Sequence, residues 1–262
     1  MCGNARWSCV SASGARSLAR WRCLVLLLPV LLAWGCATEP ETASSPASRE
    51  TVVLLHGLGR HPRAMHYLEY RLTRAGFEVF NIGYPSTELP PESLVRLLHD
   101  RVQLCCAEKQ KVHFVAHSLG GLLVRAMLAE KRPVNLGRVV ILGTPNQGAQ
   151  LVDLLGDTRL FKSLAGPAGG RLGTGEQSFP HSLPTPDYEL GVIAGTHSLN
   201  PVGSWLLKGP DDGIVSVEST RVAGMKDFML VNSDHVMMRF SDQLVDAVIQ
   251  FLRTGYFRSR EK

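Results

Sequence analysis

The sequence predicts an α/β fold: a mostly parallel, doubly wound sheet of about six strands with helices on both faces. Short β-branched runs alternate with amphipathic stretches from residue 51 onward. Parallel strands joined by helices form right-handed crossover units, which bury the sheet on both faces. The chain has 262 residues and is 45% hydrophobic. This length is enough for one large domain with a buried core and is too short for two full domains.

The predicted elements follow one another regularly along the chain. We expect strands over residues 51–55, 77–82, 111–116, 138–142, 188–194 and 227–231. We expect helices over residues 61–75, 91–107, 118–131 and 242–253. No internal repeat or second domain is visible, so we predict a single domain over residues 51–262.

A long irregular segment interrupts this alternation between Thr144 and Pro186, where glycine and proline are frequent. Insertions of this length are more often functional than idle, so we predict a cap or lid over about residues 145–187. Within it, residues 151–164 are modestly amphipathic. That pattern fits an ordinary cap helix, and it also fits an apolar patch that adsorbs to a membrane surface.

The first 35 residues have the composition of an export signal. An arginine-containing stretch without acidic residues precedes an apolar run over residues 23–34. The run is shorter than the ~20 residues of a membrane-spanning helix, and Pro29 interrupts it. We therefore predict a signal peptide over residues 1–35 and a flexible tether over residues 36–50. Removing the signal lowers the formal net charge from +5 to about +1, which argues against nucleic-acid binding.

Cys36 follows the apolar run in a context that resembles the lipobox of bacterial lipoproteins, with the small residue Gly35 directly before it. The resemblance implies that Cys36 is lipidated and anchors an exported protein at the periplasmic face of the bacterial envelope. Ala33 and Trp34 depart from the usual motif. Plain secretion and an uncleaved anchor therefore remain open.

Cys105 and Cys106 are the only cysteines after Cys36. Cysteines adjacent in sequence rarely reach unstrained disulfide geometry. We therefore predict that this pair forms no disulfide and serves as two small residues of a helix.

The strongest functional motif is the stretch Ala116-His117-Ser118-Leu119-Gly120, which joins an apolar strand to a predicted helix. A sharp turn from strand to helix strains the serine backbone, and only small side chains fit two residues before and after it. The common pattern has glycine first, where this chain has Ala116, and His117 is the variable residue. We predict that Ser118 is a nucleophile at the carboxyl edge of the sheet.

A serine hydroxyl needs a base within hydrogen-bond reach and an acid that orients the base. His235 follows the strand predicted over residues 227–231 and precedes the last helix, so it is the predicted base. His181 and His197 are rival bases in loops. Neither follows a strand that comes after the acid.

The acid is expected in the polar turn that contains Asp211 and Asp212, after the strand predicted over residues 188–194. Backbone N–H groups must also stabilise the oxyanion of the tetrahedral intermediate. We predict that Leu119 supplies one N–H group and that Leu58, in the glycine-containing turn after the first strand, supplies the other. The phosphate-binding patterns G-x-G-x-x-G and G-K-[ST] are absent from this turn.

Several motifs together resemble the bacterial lipase and esterase branch of the α/β-hydrolase superfamily, over roughly residues 51–257. They are His56-Gly57, the 116–120 turn, the 142–148 segment, Asp212-Gly213 and His235. The resemblance implies the α/β-hydrolase fold with a lid, and a triad of Ser118, Asp212 and His235. The lipase-like Asp-Gly order favours Asp212, with Asp211 as its rival.

The resemblance further implies an oxyanion hole formed by the N–H groups of Leu58 and Leu119, and neither a cofactor nor a metal. The implied activity is hydrolysis of carboxylic esters, with a small-molecule or lipid acyl ester as substrate. We also expect the protein to be a monomer. Thioesterase, amidase and acyltransferase activities use the same residues and remain alternatives. A non-catalytic lipoprotein that binds ligands is an alternative of another class.

Overall fold

The computed structural model describes residues 49–207 and 209–258. The predicted signal peptide, Cys36 and most of the predicted tether lie outside these residues. No helix in the described ranges is long and apolar enough to cross a membrane.

Six strands form one sheet in the order β2-β1-β3-β4-β5-β6, and all five neighbouring pairs are parallel. The strand order reverses between β1 and β3, which places a crevice at their carboxyl ends. The strands are β1 (Thr51–Leu55), β2 (Glu78–Ile82), β3 (Val112–His117), β4 (Leu136–Leu142), β5 (Leu190–Gly195) and β6 (Asp227–Val231).

Helices follow most of the strands, as expected for crossover connections. They are α1 (His66–Arg74), α2 (Pro91–Cys106), α3 (Leu119–Glu130), α4 (Gln150–Leu155), α5 (Arg159–Gly169), α6 (Pro201–Leu206), α7 (Val217–Thr220) and α8 (Asp242–Thr254). Short 3-10 turns cover Pro62–Met65 and Met237–Phe240. The predicted strands and the helices outside the insertion are confirmed, with ends that shift by about two residues or fewer except at one helix. The helix predicted over residues 61–75 begins as the 3-10 turn Pro62–Met65 and is α-helical only from His66.

Alternate strand residues point into two apolar layers, one on each face of the sheet. Val53 and Leu55 pack with α2 and α3 on one face. Val52 and Leu54 pack with α1 and α8 on the other. The sheet is therefore covered on both faces, as the sequence predicted, and its carboxyl edge remains for the loops that carry function.

The insertion between β4 and β5 contains α4 and α5, and residues 148–149 contact residues 172–173. The N–H of Ala149 donates to the carbonyl of Leu172 at 2.8 Å. A Cβ atom at Gly148 would lie 2.2 Å from the carbonyl oxygen of Gly173, so the two ends of the segment pass each other closely. The segment packs on the core through small residues such as Ala168, which is fully buried.

The prediction that Cys105 and Cys106 form no disulfide is wrong, because a disulfide joins their sulfur atoms at the end of α2. The Cα atoms of disulfide-bonded cysteines usually lie roughly 4.4 to 6.8 Å apart. Here the shared peptide unit itself holds the two Cα atoms 3.7 Å apart.

Candidate active site

Ser118 lies in a tight turn between β3 and α3. Its backbone has φ 56° and ψ −125°, and it is the one non-glycine residue with positive φ in the part of the chain that the structure covers. Such a conformation costs about 1–3 kcal/mol and persists only where the surroundings impose it. The N–H of Ser118 donates to the carbonyl of Leu142 at 2.8 Å, and the hydroxyl of Thr144 donates to the carbonyl of Ser118 at 3.1 Å.

Close contacts with backbone and side-chain atoms leave room only for small residues around Ser118. A Cβ atom at Gly120 would lie 2.6 Å from the carbonyl oxygen of His56. A Cβ atom at Gly121 would lie 2.1 Å from Oγ1 of Thr144. Ala116, at the position where glycine is common, is fully buried in the apolar core, so its methyl group is accommodated there.

The structure brings Ser118, His235 and Asp212 together. His235 Nε2 lies 3.1 Å from Ser118 Oγ, and His235 Nδ1 lies 2.7 Å from Asp212 Oδ2. His235 and Asp212 are 5% and 2% exposed. A carboxylate only accepts hydrogen bonds, so Nδ1 carries the hydrogen and Nε2 is left to accept the hydroxyl proton of Ser118.

Asp212 is held firmly in the loop after β5. Its Oδ1 accepts hydrogen bonds from the N–H groups of Ile214, at 3.1 Å, and Val215, at 2.8 Å. Its backbone carbonyl accepts the N–H of His235 at 2.9 Å. The carboxylate is therefore oriented before it meets the imidazole.

The rival residues lie in other bonding environments. Asp211 Oδ1 accepts from the hydroxyl of Ser204 and from the N–H of Gly213, both at 2.7 Å. His181 is exposed and places Nδ1 3.0 Å from the carbonyl oxygen of Gly175. His197 lies exposed in the loop after β5. The structure brings none of these three to Ser118.

Two glycines that the sequence analysis did not single out make room for the Asp212–His235 pair. A Cβ atom at Gly143 would lie 3.1 Å from His235 Nδ1 and 3.2 Å from Asp212 Oδ2, and the φ of Gly143 is 54°. A Cβ atom at Gly195 would lie 2.8 Å from Asp212 Cβ. Each glycine ends or directly follows a strand, β4 or β5, and that position was the available sequence signal.

The N–H groups of Leu58 and Leu119 are both available. Leu119 is the first residue of α3, and Leu58 lies in the turn after β1. Within residues 49–207 and 209–258, neither N–H donates to a protein acceptor. A Cβ atom at Gly57 would lie 3.0 Å from Ser118 Cβ, so the turn after β1 passes directly beside the serine. Both amides can therefore serve an oxyanion near Ser118.

The buried ring of His56 supports this turn. It stacks on Tyr84 with ring centroids 4.2 Å apart. Its Nδ1 lies 2.9 Å from the carbonyl oxygen of Gly57, and its Nε2 accepts the N–H of Tyr84 at 3.3 Å. Burial lowers the pKa of His56, which favours the neutral ring that these two bonds require.

His117, which the sequence marked only as the variable residue of the turn, is 2% exposed. Its Nε2 lies 2.8 Å from the backbone carbonyl oxygen of His235. Among the residues whose placement is described, no group of three or more His, Cys, Asp or Glu side chains could hold a metal ion.

A family profile described as "Alpha/beta hydrolase family" matches residues 52–247. No curated protein sequence matches the chain. Solved structures match at low identity. The mature form of lipase BlEst2 from Bacillus licheniformis has 20% identity and a TM-score of 0.61, and the match covers 83% of this chain and 96% of that one.

Two further solved structures are similar. Phospholipase PlaB from Legionella pneumophila has 18% identity and a TM-score of 0.59, and the match covers 80% of this chain and 60% of that one. A metagenomic carboxyl esterase has 18% identity and a TM-score of 0.60, and the match covers 78% of this chain and 72% of that one. At this level of identity, the likeness establishes the fold.

Proposed function

Because the chain belongs to the alpha/beta hydrolase family, we propose that it hydrolyses carboxylic esters through an acyl-enzyme formed on Ser118. One observation carries the proposal: Ser118 Oγ, both ring nitrogens of His235 and Asp212 Oδ2 form a continuous chain of hydrogen bonds. The lipases and esterases among the similar structures support an ester as the substrate.

In the acylation step, Ser118 Oγ attacks the ester carbonyl carbon while His235 Nε2 takes the hydroxyl proton. The C–O bond to the alcohol then breaks, and His235 delivers the same proton to the leaving oxygen. Asp212 stabilises the imidazolium that exists between these two events. The N–H groups of Leu58 and Leu119 bind the oxyanion, each contributing about 2.7–4 kcal/mol.

In the deacylation step, His235 takes a proton from a water molecule, whose oxygen attacks the acyl carbon. The bond between the acyl carbon and Ser118 Oγ breaks, and Oγ recovers the proton from His235. The products are a carboxylic acid and an alcohol, and the enzyme returns to its starting protonation state. No cofactor enters either step.

We propose that the lid predicted over about residues 145–187 lies beside this site through its first part, residues 149–172. A Cβ atom at Gly169 would lie 3.0 Å from Leu58 Cδ2. Helix α5 therefore packs against the turn after β1 that carries Leu58, which we call the oxyanion turn. The same helix exposes Leu160 and Leu164, at 71% and 68%, on its outer side. A segment that touches the oxyanion turn and presents apolar side chains outward is suited to control which acyl groups reach Ser118.

Labelling with a fluorophosphonate tests the nucleophile. We expect the wild-type protein to be labelled and to hydrolyse p-nitrophenyl esters, and Ser118→Ala to lose both properties. Ser93→Ala, at the start of α2, is the control and should keep both, because its hydroxyl only accepts a hydrogen bond from Arg96. Ester hydrolysis that persists in Ser118→Ala would rule the proposal out.

A panel of p-nitrophenyl esters from acetate to palmitate defines the acyl group. A thioester, an anilide and an alcohol acceptor added to the same assay distinguish an esterase from a thioesterase, an amidase and an acyltransferase. A protein that binds these esters but neither turns them over nor reacts with the fluorophosphonate would be a binding module instead.

We also propose that Cys36 is lipidated and holds the domain at the periplasmic face of the envelope. The support is the small residue Gly35 before Cys36, after an apolar run of signal-peptide length. We expect globomycin to block processing of the wild-type chain and to have no effect on Cys36→Ala. Release of the wild-type protein into the medium would indicate secretion.

A further inference from the structure

We propose that His117 is a positioning residue that fixes the backbone of the base, His235, so that its imidazole stays in line with Ser118. The inference rests on the proposed function, since it concerns the same site. It assigns a task to the buried histidine that directly precedes Ser118 and that the proposed acyl transfer does not use.

The hydrogen bond between the two histidines has a defined direction. His117 Nε2 lies 2.8 Å from the carbonyl oxygen of His235, and a carbonyl oxygen only accepts. Nε2 therefore carries the hydrogen, and Nδ1 has a lone pair. Within the described part of the chain, Nδ1 is buried without any hydrogen-bond partner.

This bond completes the fixation of the His235 backbone. The N–H of His235 donates to the carbonyl of Asp212 at 2.9 Å, which holds the residue on its N-terminal side. On the C-terminal side, His117 is the one donor to the His235 carbonyl among the residues that the structure describes. The N–H of the same peptide group, that of Val236, donates to Asp234 Oδ1 at 2.9 Å, so this group is also held from within its own loop. If the His117 donor is removed, that local bond remains but the tie to β3 is lost, and the imidazole moves away from Ser118 Oγ.

His117 also fills the space between the base and the oxyanion turn. Its ring centroid lies 4.7 Å from that of His235. A Cβ atom at Gly57 would lie 2.9 Å from His117 Nδ1. One ring therefore contacts the two loops whose relative position sets the distance between the base and the oxyanion.

Packing alone does not explain an imidazole here. A buried ring nitrogen without a donor is unfavourable, and an apolar ring of similar size would avoid it. Burial also lowers the pKa of His117 well below its ordinary value, and the neighbouring His235 lowers it further. The ring is therefore neutral and does not oppose the positive charge that His235 acquires during the reaction.

The test compares His117→Gln, which keeps an N–H donor at a similar reach, with His117→Phe, which keeps a buried ring without a donor. Rates are measured per active site titrated with the fluorophosphonate, so that unfolded protein does not count. We expect His117→Phe to lower kcat about 100-fold with KM within about twofold, because misplacing a catalytic group by about 1 Å costs that much. His117→Gln should recover kcat to within about fivefold of the wild type.

The matched controls are His113→Gln and His113→Phe, which change a second fully buried histidine of the same strand, outside the site. Their kcat per titrated site should stay at the wild-type value. If His117→Phe does not fold, His117→Asn replaces it, because its shorter amide cannot reach the His235 carbonyl.

The proposal is overturned if His117→Phe or His117→Asn keeps the wild-type kcat, if His117→Gln is as slow as they are, or if the His113 variants are equally slow. Failure of the proposed function gives a different result. In that case the wild-type protein itself neither hydrolyses esters nor reacts with the fluorophosphonate.

Discussion

Asp211 and Asp212 are adjacent, carry the same functional group and are both buried, at 7% and 2% exposure. The sequence favoured Asp212 through its Asp-Gly order and kept Asp211 as a rival, because both aspartates lie in the same polar turn. Their hydrogen bonds separate them. Asp212 meets His235, whereas Asp211 closes its own turn through Ser204 and Gly213.

The first prediction follows from this separation. Asp212→Asn should lower kcat about 10⁴-fold, because an amide beside Nδ1 favours the wrong imidazole tautomer for accepting the proton of Ser118. Asp211→Asn should keep kcat per titrated site within a few fold, and its effect should be on the urea midpoint instead. Equal losses of kcat in the two variants would contradict the assignment of Asp212.

At the scale of the elements, the hydrophobic pattern was sufficient to predict the strands and the helices that pack on them. Each strand is a short apolar run, and the chain order of Ser118, Asp212 and His235 follows from the strands that precede them. The fold of the insertion was less predictable. Glycine and proline indicate where a helix is interrupted, but they do not indicate which part of the protein that helix packs against.

Two other features lay beyond the sequence for physical reasons. Gly143 leaves room for the side chains of residues 212 and 235, which are distant from it along the chain. The sequence therefore could not show why a glycine is needed there. The pairing of Cys105 with Cys106 depends on side-chain directions at the end of α2, which composition does not report.

The second prediction concerns the docking of α5. Gly166 interrupts this helix with φ 61° and ψ −168°, and a Cβ atom there would lie 1.8 Å from the carbonyl oxygen of Thr87. Gly166→Ala must therefore push the segment off the core. We expect limited proteolysis within residues 149–172 to become about tenfold faster, equivalent to about 1.4 kcal/mol of lost docking energy.

Gly170→Ala is the matched control for this experiment. Gly170 follows the same helix with φ −65°, and nothing lies within 4 Å of its would-be Cβ atom. Alanine should be tolerated at this position, and the cleavage rate should not rise. If Gly166→Ala is cleaved no faster than Gly170→Ala, α5 is not docked through Gly166.

For the whole molecule, the strand order assembles the site. Because β1 and β3 are neighbours, the turn that carries Leu58 lies beside the turn that carries Ser118. The loops after β5 and β6 supply Asp212 and His235 from the other side. The site therefore exists only when the strands have paired, so global stability and activity should be lost together in urea.

Buried histidines make this global stability depend on pH. His113 is fully buried, its Nδ1 accepts the N–H of Arg138 at 2.8 Å, and its Nε2 lies 3.3 Å from Glu50 Oε2. Burial lowers the pKa of His113 to about 4, and the nearby Glu50 carboxylate offsets only part of that effect. His117 and His56 are shifted in the same direction.

The third prediction is acid destabilisation between about pH 6.5 and pH 4. In this window the unfolded chain binds a proton at His113 that the folded chain does not, so the free energy of unfolding falls as the pH falls. The contribution of His113 is complete above pH 6.5, and its loss near pH 4 is about 3 kcal/mol. In urea titrations across this range, His113→Gln should reduce the slope of unfolding free energy against pH by up to about 1.4 kcal/mol per pH unit. A slope identical to that of the wild type would mean that the folded protein protonates His113 as readily as the unfolded chain does.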